Sequence, residues 1–181
     1  MAFFKPKHHR AVDATWAPVI VASERAPDIF KSVLKNHWAP ALRELGLKGS
    51  GRIFVVPDER DWAMLGFQSS TASNAEWVKF TINLLVVGKD AWEEARERSS
   101  YLSAKPSPNT LGPHRYAQRI GYLTHGADHW WRLYASEDSE SLVAEVSGAL
   151  RDVAVPKLRQ EMSDQTAGPR GTFDSIKKDS H

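Results

Sequence analysis

The chain has 181 residues, a formal net charge of +2 and no cysteine. That length suits one domain with tails, and the missing thiols exclude a disulfide scaffold, a cysteine nucleophile and a sulfur-ligated zinc site. The near-balance of 24 basic and 22 acidic side chains offers no global attraction for nucleic acid or anionic membrane, so a nucleic-acid partner is not expected.

No apolar run approaches the roughly 20 residues that span a bilayer. The charged start has no apolar stretch of signal-peptide length behind it, so the expected location is the cytoplasm. Residues 1–25 read as an N-terminal arm, with Lys5, Lys7, His8, His9 and Arg10 followed by a short apolar stretch from Ala17 to Ala22. Residues 26–163 read as a single domain. Residues 164–181 are polar and without periodicity, the composition of a disordered tail.

The first helix is predicted over residues 27–45. Pro27 suits its first turn and Asp28 the positive end of its dipole. Ile29, Phe30, Val33, Leu34, Trp38, Leu42 and Leu45 form an apolar stripe of helical period. Pro40 lies inside the pattern and predicts a kink, or a split after His37. Gly46 is a natural stop. Lys48 to Gly51 reads as a turn, Arg52 to Val56 as a short strand, and Trp62 to Gln68 as a second strand. Trp77 to Val87 is the clearest strand. Val78, Phe80, Ile82, Leu84 and Val86 fall on one face, and Trp77, Lys79, Thr81 and Asn83 on the other. That alternation predicts an antiparallel strand with one face in the core and one face wetter.

A short charged helix follows from Asp90 to Arg98. Residues 99–115 hold Pro106, Pro108, Gly112 and Pro113 and form a long loop, a class often functional or mobile. Gln118 to Leu123 and His129 to Tyr134 read as two more strands around a turn at His125–Asp128. The last helix is predicted from Ser139 to Met162, with a kink at Pro156 and a stripe through Leu142, Val143, Val146, Leu150 and Val153. Short links between strands favour antiparallel pairing. The expected fold is therefore α+β: an antiparallel sheet of about five strands with two long helices packed on one face, a two-layer sandwich.

The run from Gly66 to Ser70 followed by Lys79 to Asn83, and the run from Arg119 to Leu123 followed by Trp130 and Trp131, carry a resemblance. Together with a leading helix holding a mid-helix proline and a closing helix with a Val-Pro step, they resemble the domain-of-unknown-function family 4304 over roughly residues 27–162. Two departures are visible: Gly46-Leu47 stands where that family usually has Gly-Phe, and the loop before Arg119 is longer and richer in proline. The resemblance implies a fold and recurring polar positions but no activity.

Strand parity supplies the candidate ligand site. Arg119 and Gly121 share one parity, with Ile120 and Tyr122 assigned to the core. Gln68, Asn83 and Arg119 are then expected on one sheet face, where a guanidinium beside two amides makes a cradle for a carboxylate or phosphate. Trp131 joins this tentative set as the wall of an aromatic groove. No catalytic residue is assigned: no Gly-x-Ser-x-Gly elbow, P-loop or dinucleotide fingerprint occurs. No cofactor is expected. His125 and His129 have metal-ligand spacing only on a helix, and Gly126 argues for a turn, so no metal is expected either.

The leading expectation is a non-catalytic binding or interaction module. Its partner is a protein or a small anionic ligand on the exposed sheet face. Two alternatives stand beside it: an enzyme for a small anionic substrate, with Arg119 as clamp and His114 or His125 as acid/base, and a weak nucleic-acid binder acting through Lys5 to Arg10.

Overall fold

The computed structural model describes residues 24–110 and 112–164. They form an α+β fold in which helices cover an antiparallel sheet. The expectations for residues 1–23 and 165–181 lie outside the described residues.

Helix α1 (Ala26–Val33) continues through a π turn at Leu34–Trp38 into α2 (Ala39–Glu44). The helix does not split after His37 but runs on through the π turn. Pro40 lacks an N–H, and its ring would press on the carbonyl one α-turn back. A wider turn relieves both problems: the Ala39 N–H reaches back to the Leu34 carbonyl, five residues away. The closing helix repeats this solution. There α5 (Glu140–Ala149), a π turn at Leu150–Ala154 and α6 (Val155–Ser163) run on, and the Val155 N–H donates to the Leu150 carbonyl just before Pro156. The expected proline kinks are therefore π turns.

The sheet contains β1 (Lys48–Ser50), β2 (Ile53–Val56), β3 (Asp61–Ser69), β4 (Trp77–Gly88), β5 (Tyr116–Arg119) and β6 (Trp131–Tyr134). Neighbours run β1-β2-β3-β4-β5, all antiparallel, and β6 also pairs with β4. Lys48–Ser50, expected as a turn, thus adds a short edge strand. On its far edge β4 pairs first with β6, over Trp77–Phe80, and then with β5, over Asn83–Val86.

The expected parity of β4 holds on the helix side. Val78, Phe80, Ile82, Leu84 and Val86 are all buried there. Phe80 is fully buried among Phe30, Trp38 and Trp131, at centroid distances of 4.9, 5.4 and 5.7 Å. Trp38, the residue that ends the first π turn, stacks on Phe67 at 5.4 Å.

The opposite face departs from expectation. Thr81 and Asn83 point there but are buried, and Met64, Leu85, Val87 and Trp92 build a second apolar cluster on it. Trp92 comes from α3 (Lys89–Arg98), and its indole N–H donates to the Ser103 carbonyl at 3.1 Å. Pro108 and Asn109 settle on Gly66, where a Cβ would lie 2.7 Å from the proline ring. The proline-rich loop is a cover for the sheet. The run Leu84 to Val87 is apolar on both parities, the pattern of a strand buried on both faces.

Two predicted strands also change. The segment Gln118–Leu123 is strand only to Arg119; Ile120–Thr124 is a single helical turn, α4. Tyr122, assigned to the core, is 47% exposed, whereas Ile120 is buried as expected. The last strand begins at Trp131 rather than His129.

A buried ion pair closes the domain. The Arg115 guanidinium donates to both Asp61 carboxylate oxygens, at 3.1 and 2.5 Å, and also to the Glu161 carbonyl at 3.0 Å. It joins the start of β3, the entry to β5 and helix α6. Removing one member of such a pair strands the other charge. Arg115→Ala should therefore lower the unfolding free energy by about 3–5 kcal/mol. Phe80→Ala should cost a similar ~3–5 kcal/mol by opening a core cavity. Urea denaturation checks both; losses below about 1 kcal/mol would contradict the packing described.

Candidate functional site

The helix–turn segment 120–130 interrupts what the sequence reads as strand. Arg119 ends β5 opposite Asn83, and Trp131 begins β6 opposite Phe80. Everything between them leaves the sheet and returns. The excursion is tied down by backbone and side-chain bonds. The His125 N–H donates to the Gly121 carbonyl at 2.8 Å, and the Thr81 hydroxyl donates to the His129 carbonyl at 3.2 Å. Gly121 makes the close approach possible: a Cβ there would lie 2.4 Å from the His129 nitrogen.

Gln68, Asn83 and Arg119 lie on one sheet face. The Asn83 amide donates to Gln68 Oε1 at 2.7 Å and to Asn109 Oδ1 at 2.9 Å. The Asn109 amide donates in turn to the Phe67 carbonyl at 3.3 Å. Asn109, which the sequence did not single out, therefore sits above Gly66 and fills the amide side of the expected cradle. Arg119 turns away from the amides toward the excursion. Its Nη1 donates to Asp128 Oδ2 at 2.6 Å, and the guanidinium lies over the Trp130 ring, 5.1 Å from the centroid. Asn83 Oδ1 and Arg119 Nε are both buried without a hydrogen-bond partner among the described residues.

Trp131 does not join these residues. It is buried on the helix side, stacked on Phe80, with its indole N–H donating to Glu145 Oε1 at 2.6 Å. Adjacent strand residues face opposite sides, so Trp130 takes the position on the polar face. Lys79 also lies over the Trp130 ring, 5.4 Å from its centroid, and Arg132 lies over Trp77 at 5.5 Å. Lys79 and Arg132 are register partners in β4 and β6. The strip ends at a cavity of about 420 Å³ lined by Arg25, Glu76, Trp77 and Tyr134.

Residues 38–160 match the family model described as Domain of unknown function (DUF4304). The chain belongs to this family. No curated protein and no solved structure matches the chain. The family's description assigns no activity, so the chemistry of the site rests on its geometry. Among the described residues no helix is long and apolar enough to cross a membrane.

The histidines are placed as follows. His114 Nδ1 contacts the Gly112 carbonyl at 3.0 Å, at the approach to β5. His125 and His129 stack on each other, 3.8 Å between centroids and 10° between planes. Glu145 of α5 stands beside them, with its Oε1 3.9 Å from His125 Nε2. Burial lowers the pKa of His129, and His125 pushes it the same way against the carboxylates of Glu145 and Asp128. The sequence shows both histidines but gives no sign of Glu145, which arrives only through packing of α5.

Gly121→Ala should disturb this segment directly, because the new methyl meets backbone rather than a yielding side chain. A loss of about 1–3 kcal/mol in thermal or urea unfolding is expected. An unchanged melting temperature would show that the excursion is not held against α4.

Proposed function

We propose that this chain is a cytoplasmic, non-catalytic binding module whose polar sheet face takes an acidic segment of a protein partner. The observation that carries this reading is that two cations, Lys79 and Arg119, share one indole ring, Trp130. Bringing like charges onto one ring costs free energy that an incoming carboxylate recovers. Among the described residues, Asp128 is the one carboxylate in ion-pair contact with Lys79, Arg119 or Arg132. Arg132 over Trp77 extends the strip toward the cavity at Arg25 and Tyr134, where an apolar or aromatic side chain of the partner would seat.

A small anion held between Gln68, Asn83 and Arg119 finds less support. Asn109 fills the amide side of that cradle, and Asp128 already engages the guanidinium. The same ion pair weakens the reading of Arg119 as the substrate clamp of an enzyme. Nucleic acid would also meet cations and indoles, but the net charge of +2 provides no long-range attraction.

Fluorescent peptides rich in Asp and Glu and carrying one Phe or Tyr test the proposal against charge-balanced scrambles, using the full chain. Preferential, salt-sensitive binding of the acidic peptides is expected. A Lys79→Glu and Arg132→Glu double variant should lose at least about tenfold in affinity, and Trp130→Ala about thirtyfold, the scale of a central aromatic contact. Equal affinity for scrambles, or tighter binding of a single-stranded oligonucleotide, would overturn the reading.

A further inference from the structure

Outside the basic strip, the same excursion brings together ligand types that the sequence keeps apart. His125, His129 and Glu145 each offer one ligand atom, and these atoms lie within 4.8 Å of one another. We propose that His125, His129 and Glu145 bind one divalent transition cation of the zinc class through two imidazole nitrogens and one carboxylate oxygen. This proposal is independent of the peptide-binding reading.

The surrounding hydrogen bonds prepare the three groups for that role. The Thr124 hydroxyl has one proton and donates it to the Ile120 carbonyl at 3.1 Å. Its contact with His125 Nδ1, at 2.7 Å, is then met by the tautomer that carries its proton on Nδ1. In that tautomer Nε2 keeps its lone pair, 3.9 Å from Glu145 Oε1. A ligating histidine whose other nitrogen is held by a hydrogen bond is the usual arrangement at metal centres.

Glu145 is oriented in the same manner. The indole N–H of Trp131 donates to Oε1, and Trp131 is itself locked in the core against Phe80. The carboxylate is therefore anchored on one oxygen, with the other available. His129 supplies the third feature: its Nε2 is buried and has no hydrogen-bond partner among the described residues. An orphaned buried nitrogen on a histidine clustered with a carboxylate and a second imidazole is a group that a cation would satisfy.

Zinc bonds of about 2.0–2.1 Å place tetrahedral ligand atoms roughly 3.3 Å apart. Bringing ligand atoms that lie within 4.8 Å of one another to that spacing requires only small rotations of the His125 and Glu145 side chains about their held contacts. The donors are nitrogen and oxygen without sulfur, the set that suits zinc and its neighbours rather than magnesium or calcium. Three protein ligands leave a fourth position open, and Glu145 also lines a cavity of about 210 Å³ shared with Arg132 and Ser139. The site therefore has the composition of an open centre rather than a closed structural one.

Zinc titration of the chelator-stripped full chain, followed by competition with a chromogenic chelator, tests the assignment. Cobalt serves as the spectroscopic probe. One zinc per chain and a cobalt spectrum of low coordination number are expected. His125→Ala, His129→Ala and Glu145→Gln should each weaken binding by at least about a hundredfold while circular dichroism stays unchanged. Thr124→Ala leaves every ligand in place and should weaken binding by about ten- to a hundredfold, a loss that a purely structural threonine would not cause. The chain holds 7 histidines, so binding with unchanged affinity in all three ligand variants would belong to others and would overturn the proposal. Absence of zinc binding by the wild type at micromolar concentration would overturn it as well.

Discussion

The two-sided burial of β4 is the constraint on which the rest of the molecule depends. Leu84, Leu85, Val86 and Val87 are all buried, so water can be admitted to neither face of that half of the strand. One face is satisfied by α1, α2, α5 and α6 and the two π turns. The other has no long helix to cover it and is closed by Trp92 of α3 and by the proline-rich loop. A loop can serve as a cover only if its own polar groups are paired. The Asn109 amide and carbonyl oxygen, bonded to Phe67 and Asn83, meet part of that requirement on top of Gly66.

The toward-Trp77 half of β4 has a different solution. There the second face carries Lys79 and is flanked by Arg132, Trp77 and Trp130. Indole faces accept the cations while the alkyl stems shield the strand. A single sheet face thus changes character along its length, from sealed and apolar to basic and aromatic, with Asn83 and Arg119 at the boundary. Two buried polar atoms without a hydrogen-bond partner among the described residues, Asn83 Oδ1 and Arg119 Nε, lie at that boundary.

Much of the fold was legible from period alone. The strict alternation from Val78 to Val86 identified the helix-facing side of the sheet, and the stripes through Phe30 and Leu150 identified the elements that cover it. Gln68, Asn83 and Arg119 were placed on one face by parity on the condition that their strands are neighbours, a condition the β3-β4-β5 order meets. What parity could not see was the end of β5. Ile120, Tyr122 and Leu123 have strand-like chemistry, and only the approach of His129 to Gly121 shows why the chain curls there. The choice between Trp130 and Trp131 likewise depended on which of them opposed Phe80 in the ladder. Glu145 was invisible for a simpler reason: its nearness to His125 is made by tertiary packing. The prolines marked where both long helices depart from the α-turn, but the form of the departure, a widened π turn, was not legible from sequence.

The excursion between Arg119 and Trp131 begins and ends on the same strand, at Asn83 and Phe80. Its two anchors are ladder rungs that the core already enforces. A segment held in this way behaves like a cassette: its exposed positions can drift while the sheet registers little, provided both rungs, the buried Ile120 and the close approach at Gly121 persist. Arg119 and Trp130 of the strip, and two of the three proposed metal ligands, lie on the cassette or at its rungs. Selection could therefore rewrite what this scaffold recognises without first having to solve its folding again.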